Sequence, residues 1–198
     1  TTTNVNLCAA LALKGKKILS IDIDPQGNTT SGFGFSKNQL EYTIYNVLIE
    51  DYDINKVIFK TEIENLDLIP ANIQLAGAEI ELASARFREK TLKEKMNLIE
   101  NKYDFIILDC PPSLGLLSLN ALTASNTVLI PIQCEYYSLE GVGQLIDTVK
   151  LVKKNLNPRL EIEGVILNMF DGRTNLSIQV VEEVKKYFKD KVYRTVIP

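Results

Sequence analysis

The sequence predicts an α/β fold, a doubly wound and mostly parallel sheet flanked by helices, on three observations. Short apolar runs alternate along the whole chain with segments of helical period, the pattern of successive β–α–β units. Two of those runs, ILSIDID and YDFIILD, carry acidic residues at their C-terminal ends: Asp22 and Asp24 on the first, Asp109 on the second. Sheets of this class place their sites along that edge. Turn-forming residues follow each run at once, Pro25-Gln26-Gly27-Asn28 and Cys110-Pro111-Pro112-Ser113.

The opening residues, TTTNVNLCAALALKG, read as a helix over 1–14, with hydroxyls at its start and Gly15 to close it. A strand is expected at 17–23 and a Gly-rich turn through 34. Helical turns follow near 43–50, then short strands near 56–59 and 65–69. Helices are expected at 72–86 and 88–101, where Ala78, Leu82 and Ala85 have the spacing of a buried face. The strand 103–109 leads to a helix near 115–125 and the strand 127–132. A helix at 138–155, a strand at 162–169, a helix at 175–188 and a last strand at 192–197 complete the order. No repeat, low-complexity tract or linker interrupts it, so a single domain over 1–198 is expected. A chain of this class rarely opens inside a helix. A strand before Thr1 and more chain after Pro198 are therefore expected, with both ends cut.

Composition excludes several chemistries. There are no histidines among the 198 residues, which removes Ser-His-Asp and Cys-His catalysis and every His-based metal site. Cys8, Cys110 and Cys134 lack C-x-x-C spacing, so reduced and mostly buried cysteines are expected. No apolar run approaches the length of a membrane span, and no signal peptide is visible; a cytoplasmic location is the expectation. Net charge is −3, with no global signature of nucleic-acid binding. Residues 145–198, however, carry 10 basic against 7 acidic side chains, a mild basic bias.

Strand alternation puts Asp22 and Asp24 on one side. Two such carboxylates repel unless a cation lies between them or their roles differ. The alternative is a solvated turn that caps the strand. Asp109 has the pattern of a Walker B acid that holds Mg²⁺, or else caps the following turn. Gly27 allows close backbone approach to a ligand, while Pro111, Pro112 and Gly115 shape a segment able to respond to a γ-phosphate. Thr1–Thr3 either cap a helix or mark where a phosphate sits on its free N–H groups.

With these residues assembled, the chain resembles the ParA/Soj family of deviant-Walker P-loop ATPases, which segregate bacterial chromosomes and plasmids. The resemblance is carried by TTTNVNLCAALALKGKKILSIDIDPQGNTTSGFG, YDFIILDCPPSLGLLSLNAL, VLIPIQCEYYSLEGVGQL and GVILNMFDGRTNLSIQVVEEVKKYF. It implies a P-loop NTPase fold whose first strand and P-loop would precede Thr1, and it covers essentially the whole chain. It implies ATP and Mg²⁺ as cofactors, Thr1 as the Mg²⁺-binding hydroxyl and Thr2 as a phosphate contact. Asp24 would orient the attacking water, and Asp22 and Asp109 would organise the metal shell. Asn168 and Pro198 would contact the adenine. The 198 residues alone are expected to bind ATP poorly.

The same resemblance implies an ATP-bound homodimer that binds DNA without sequence preference and is stimulated by a ParB/Spo0J-type centromere-binding partner. Arg173 matches a DNA-contacting position. Lys185, Lys186 and Lys189 would extend that patch, or form a solvated helix face. Such a protein would be nucleoid-associated, with no membrane partner. Two alternatives are a MinD-like, membrane-recruited division regulator and a P-loop scaffold without catalysis. PQGN and the Arg173 block favour the ParA-type reading over the MinD-like one, and intact Asp24 and Asp109 oppose the scaffold.

Overall fold

The computed structural model describes residues 1–135 and 138–198 and divides into two compact units, Thr1–Ala124 and Ser125–Pro198. The first unit runs α1 (Thr2–Leu13), β1 (Ile18–Asp22), α2 (Asn28–Gly32), α3 (Ile44–Ile49), β2 (Phe59–Lys60), β3 (Leu66–Ile69), α4 (Leu75–Ala83), α5 (Thr91–Met96), β4 (Phe105–Asp109) and α6 (Leu116–Ala124). The second runs β5 (Thr127–Gln133), α7 (Ser138–Asn155), β6 (Glu161–Asn168), α8 (Asn175–Phe188) and β7 (Val192–Val196). These are mostly parallel sheets flanked by helices, as the alternating pattern predicts.

In the first unit the strand order is β2-β3-β1-β4. β1 pairs in parallel with β3 and β4, and the short β2 runs antiparallel to β3. Every residue of β1 is buried, so its apolar run serves both faces. Leu19 and Ile21 pack with Ile44, Val47, Leu75, Leu92 and Leu117. Ile18 points the other way, into a core with Cys8 and Ala12 of α1 and Leu66 and Leu68 of β3. Each such side chain contributes about 1.5–3 kcal/mol on burial. The register sets Asp22 directly opposite Asp109, so two acids reach the same level of the sheet's carboxyl edge.

The second unit holds the parallel sheet β5-β6-β7. Ile130, Ile132, Val165 and Leu167 pack against Ile146 of α7 and Val180, Val184 and Phe188 of α8. In α8 the buried residues Ser177, Val180, Val184 and Phe188 form one stripe of helical spacing.

Some element boundaries differ from expectation for local reasons. The helix expected over 72–86 ends at Ala83, and Ala85 lies beyond it, exposed. The helix expected over 88–101 is α5 followed by a 3₁₀ turn at Glu100–Lys102. Residues Ile54–Val57 form a 3₁₀ turn rather than a strand, because the Asp53 carboxylate accepts the Asn55 amide at 2.9 Å and closes it. Cys8 and Cys134 are free and buried, but Cys110 is free and exposed. Tyr136 and Tyr137, within one of the quoted blocks, lie outside the described residues. Among the described residues no helix is long and apolar enough to cross a membrane.

Candidate functional site

The two acids brought level by the β1–β4 register are held very differently. Asp22 is fully buried. One of its oxygens accepts the Thr30 amide at 2.8 Å and the Thr30 hydroxyl at 2.7 Å, and the other accepts the Asp24 amide at 3.1 Å. Asp109 presents Oδ2 to the Thr1 hydroxyl at 2.9 Å and the Thr29 hydroxyl at 2.7 Å. The amino nitrogen of Thr1 stands 3.2 Å from its Oδ1. Thr1 is the N-cap residue of α1, yet its side chain makes no capping bond; the hydroxyl is turned to Asp109 instead. Thr2, the first residue of α1, is exposed beside it. Asp24 is buried, and its Oδ1 accepts the Gln26 amide at 2.9 Å.

Thr29 and Thr30 are site residues that sequence reasoning misses. Both sit in α2, the short helix that replaces the expected turn, and both are fully buried. Thr30 also accepts the Ala71 amide at 2.9 Å, tying Asp22 to the segment after β3. Thr29 accepts from the Asn4 side-chain amide at 3.1 Å, and that amide also donates to the Ser20 hydroxyl at 2.9 Å. Thr29 accepts from Asn4 and gives its proton to Asp109, because the amide nitrogen only donates and the carboxylate only accepts. The only signal in the sequence is the hydroxyl run Thr29-Thr30-Ser31 after Gly27-Asn28, which fits a solvated turn equally well.

Gly27 sits at φ +61, and a Cβ there would lie 2.8 Å from the Ala71 carbonyl oxygen and 2.5 Å from Lys37 Cδ. The close approach that requires glycine is made by the protein's own chain. This differs from the ligand approach expected from sequence.

Thr1 and Asp109 bring hard oxygen donors together at a helix N-terminus, with Asp22 level with Asp109 on the neighbouring strand. That set suits Mg²⁺ held jointly with phosphate oxygens and water. Among the described residues no three carboxylates or thiols gather to hold a metal unaided, so the phosphates and waters would supply the remaining ligands.

Burial pushes the Asp22 carboxyl up to about 6 from an ordinary 3.8, with the nearby Asp109 charge adding to it, while the Thr30 and Asp24 donors pull the other way. The folded state thus favours the protonated acid. Its contribution to stability is fully present below about pH 4 and is lost as pH rises through about 6. The nucleotide-free protein is expected to gain up to about 3 kcal/mol between pH 7 and pH 4 from this group. Urea titrations at several pH values read it, and Asp22→Asn is expected to flatten that part of the profile.

The remaining candidates lie in the second unit. Asn168 ends β6 opposite Gln133 of β5. The β7 end runs close by, with the Ile197 amide bonded to the Leu167 carbonyl at 2.8 Å, so Asn168 and Pro198 share one end of this sheet. Arg173 is exposed, and its guanidinium forms a two-point pair with Asp171 at 2.9 and 2.8 Å. That partner holds the Asp171 carboxyl below its usual range. Lys185, Lys186 and Lys189 are exposed, but they stand at the far end of α8. Arg173 precedes the helix, and at 1.5 Å per residue Lys185 stands roughly 15 Å along the axis from its first residue, Asn175. Arg173 and the three lysines therefore stand at opposite ends of α8.

A family profile described as an AAA domain matches residues 1–162. The chain is 61% identical over 198 residues to the sporulation initiation inhibitor protein Soj of Bacillus subtilis (strain 168), covering all of this chain and 78% of that protein. It is 49% identical to the chromosome partitioning protein ParA of Myxococcus xanthus, again over its whole length and 70% of the relative. Among solved structures, a cobyrinic acid a,c-diamide synthase from Mycobacterium smegmatis, with bound ATP analog and magnesium, superposes with a TM-score of 0.93 at 38% identity. That match covers all of this chain and 80% of the other. A plasmid partition protein from Borrelia burgdorferi superposes at 0.80 with 30% identity, over 96% of this chain and 80% of that one.

Proposed function

The chain belongs to the ParA/Soj family of partitioning ATPases with an AAA-type P-loop domain, and on that premise we propose that it couples Mg²⁺-dependent ATP hydrolysis to reversible, sequence-independent DNA binding during chromosome or plasmid segregation. The observation that carries this is the level pairing of Asp22 and Asp109 with the Thr1 hydroxyl turned onto Asp109. A helix start, a hydroxyl bonded to one strand-end acid and a second acid level with it on the neighbouring strand are the parts a metal–phosphate site requires.

Thr1, Asp22 and Asp109 would hold the magnesium, and Thr2 at the exposed helix start would meet the phosphates. Bound Mg²⁺ would neutralise charge developing on the phosphoryl oxygens. Asp24 orients the attacking water and accepts its proton, a task that positioning accomplishes without a histidine. The donors fixing Asp22 keep it in one rotamer, and the Thr29 hydroxyl, itself held by Asn4, does the same for Asp109. Asn168 and Pro198, at one end of the β5-β6-β7 sheet, would take the adenine. An amide can pair with both N6 and N7 of that base. The two units act together as one ATPase domain, a reading supported by the profile match running from 1 to 162 through their boundary.

DNA binding is assigned to Arg173, extended by Lys185, Lys186 and Lys189 and doubled in an ATP-bound homodimer. A ParB-type partner would stimulate turnover, and the protein would be nucleoid-associated in the cytoplasm. The intact protein with ATP is expected to retain DNA on a filter in a strongly salt-dependent way. Arg173→Glu should lower that retention by about tenfold while nucleotide affinity is unchanged. Equal retention by both forms would remove Arg173 from the interface. Flotation with liposomes in the absence of DNA binding would replace this reading with a membrane-recruited one.

A further inference from the structure

We propose that Glu79 is a positioning residue for the reaction: its carboxylate caps α6 and so fixes the turn at residues 110–115 that follows Asp109. The inference rests on the ATPase reading and adds to it a residue outside the acid pair. Helix α6 begins at Leu116, immediately after Gly115, which has no side chain to accept an amide of the first turn. The acceptor comes from α4, where Glu79 Oε1 takes the Leu117 amide at 3.2 Å. A negative charge at a helix N-terminus is favourable through both the hydrogen bond and the helix dipole.

Gly115 and Glu79 form a fitted pair. A Cβ on residue 115 would lie 2.2 Å from Glu79 Oε1 and 2.9 Å from its Cδ. Any side chain at 115 therefore evicts the carboxylate. The turn is closed from within by the Ser118 hydroxyl, which donates to the Ser113 carbonyl at 2.6 Å. Its path is further restricted by Pro111 and Pro112. Residues 110–115 thus hang between two anchors, Asp109 in β4 and the Glu79 bond at Leu117.

Glu79 also faces the other acid-bearing turn. A cleft of about 160 Å³ is lined by Pro25, Ala76, Glu79, Pro111, Ser113 and Leu117. Pro25 follows Asp24 directly, and Pro111 lies two residues after Asp109. One carboxylate therefore borders the exits of both acid-bearing segments. Any movement of the 110–115 turn during turnover must carry the Glu79 bond with it or break it.

The test is a double-mutant cycle in the full chain. Glu79→Ala and Gly115→Ala are each expected to lower kcat about tenfold with nucleotide Kd within about twofold of wild type. The double variant is expected to be no slower than either single, because both remove one contact. Glu79→Gln keeps the Oε1 acceptor and is expected to retain most of the turnover. In the nucleotide-free protein, Glu79→Ala should speed hydrogen exchange at the Leu117 amide by about tenfold. Additive losses in kcat, or wild-type kcat and unchanged Leu117 exchange in Glu79→Ala, would overturn the proposal. Should Gly115→Ala fail to fold, the Glu79 pair and the exchange measurement still decide it. Loss of the ATPase reading itself would show as an Asp24→Ala variant with wild-type turnover, which the nucleotide-free exchange measurement does not depend on.

Discussion

Asp24→Ala is expected to lower ATP turnover by about two orders of magnitude or more while leaving nucleotide affinity within about threefold. Asp24 is buried at the end of the ILSIDID segment, with one carboxylate oxygen fixed by the Gln26 amide at 2.9 Å. Removing it leaves Asp22, Asp109 and Thr1 in place, so the groups assigned to metal and phosphate remain. Only the group assigned to the water is lost. The variant should therefore load nucleotide, persist as the ATP-bound dimer and stay on DNA. Single-turnover hydrolysis beside fluorescent-nucleotide titration separates the two quantities. Wild-type turnover would take Asp24 out of the chemistry.

The second large effect is on stability. Thr30→Val is expected to destabilise the protein by about 2–4 kcal/mol at pH 7, because it strands two buried groups at once. The hydroxyl donates to Asp22 Oδ2 at 2.7 Å and accepts the Ala71 amide at 2.9 Å, and Thr30 is fully buried. Valine matches the shape and provides neither bond. Urea denaturation reads the loss, and Thr30→Ser should recover most of it. Lowering the pH should shrink the difference, since a protonated Asp22 carries less uncompensated charge. A variant as stable as wild type would mean that Asp22 finds its donors elsewhere.

Much of the acid-bearing edge is legible in the amino-acid sequence. The apolar runs closing on Asp22 and Asp109 predict parallel strands with acids at their ends, and the register pairs those two residues. Thr1 stands ahead of a helical pattern, and it is the N-cap of α1. Sequence misleads where the signal is local and polar. Ala85 has the spacing of a buried face but lies past the end of α4. Residues 56–59 look like a strand, yet the Asp53 side chain closes a 3₁₀ turn over Ile54–Val57 and the strand begins only at Phe59. Thr29 and Thr30 carry no distinguishing signal, because hydroxyls beside glycine are the ordinary composition of an exposed turn.

The sequence by itself determined the order of strands and helices, the positions of the strand-end acids and the family. The first two depend on periodicity and short-range spacing along the chain, and the family on the resemblance of its sequence blocks. Tertiary structure decided which oxygen holds which proton. Thr29 reaches Asp109 across 80 positions, Thr30 binds the Ala71 amide across 41, and Glu79 meets Leu117 across 38. A hydrogen bond requires its two atoms within about 3 Å, and no pattern along the chain specifies which distant residues the packing of the sheet will bring that close.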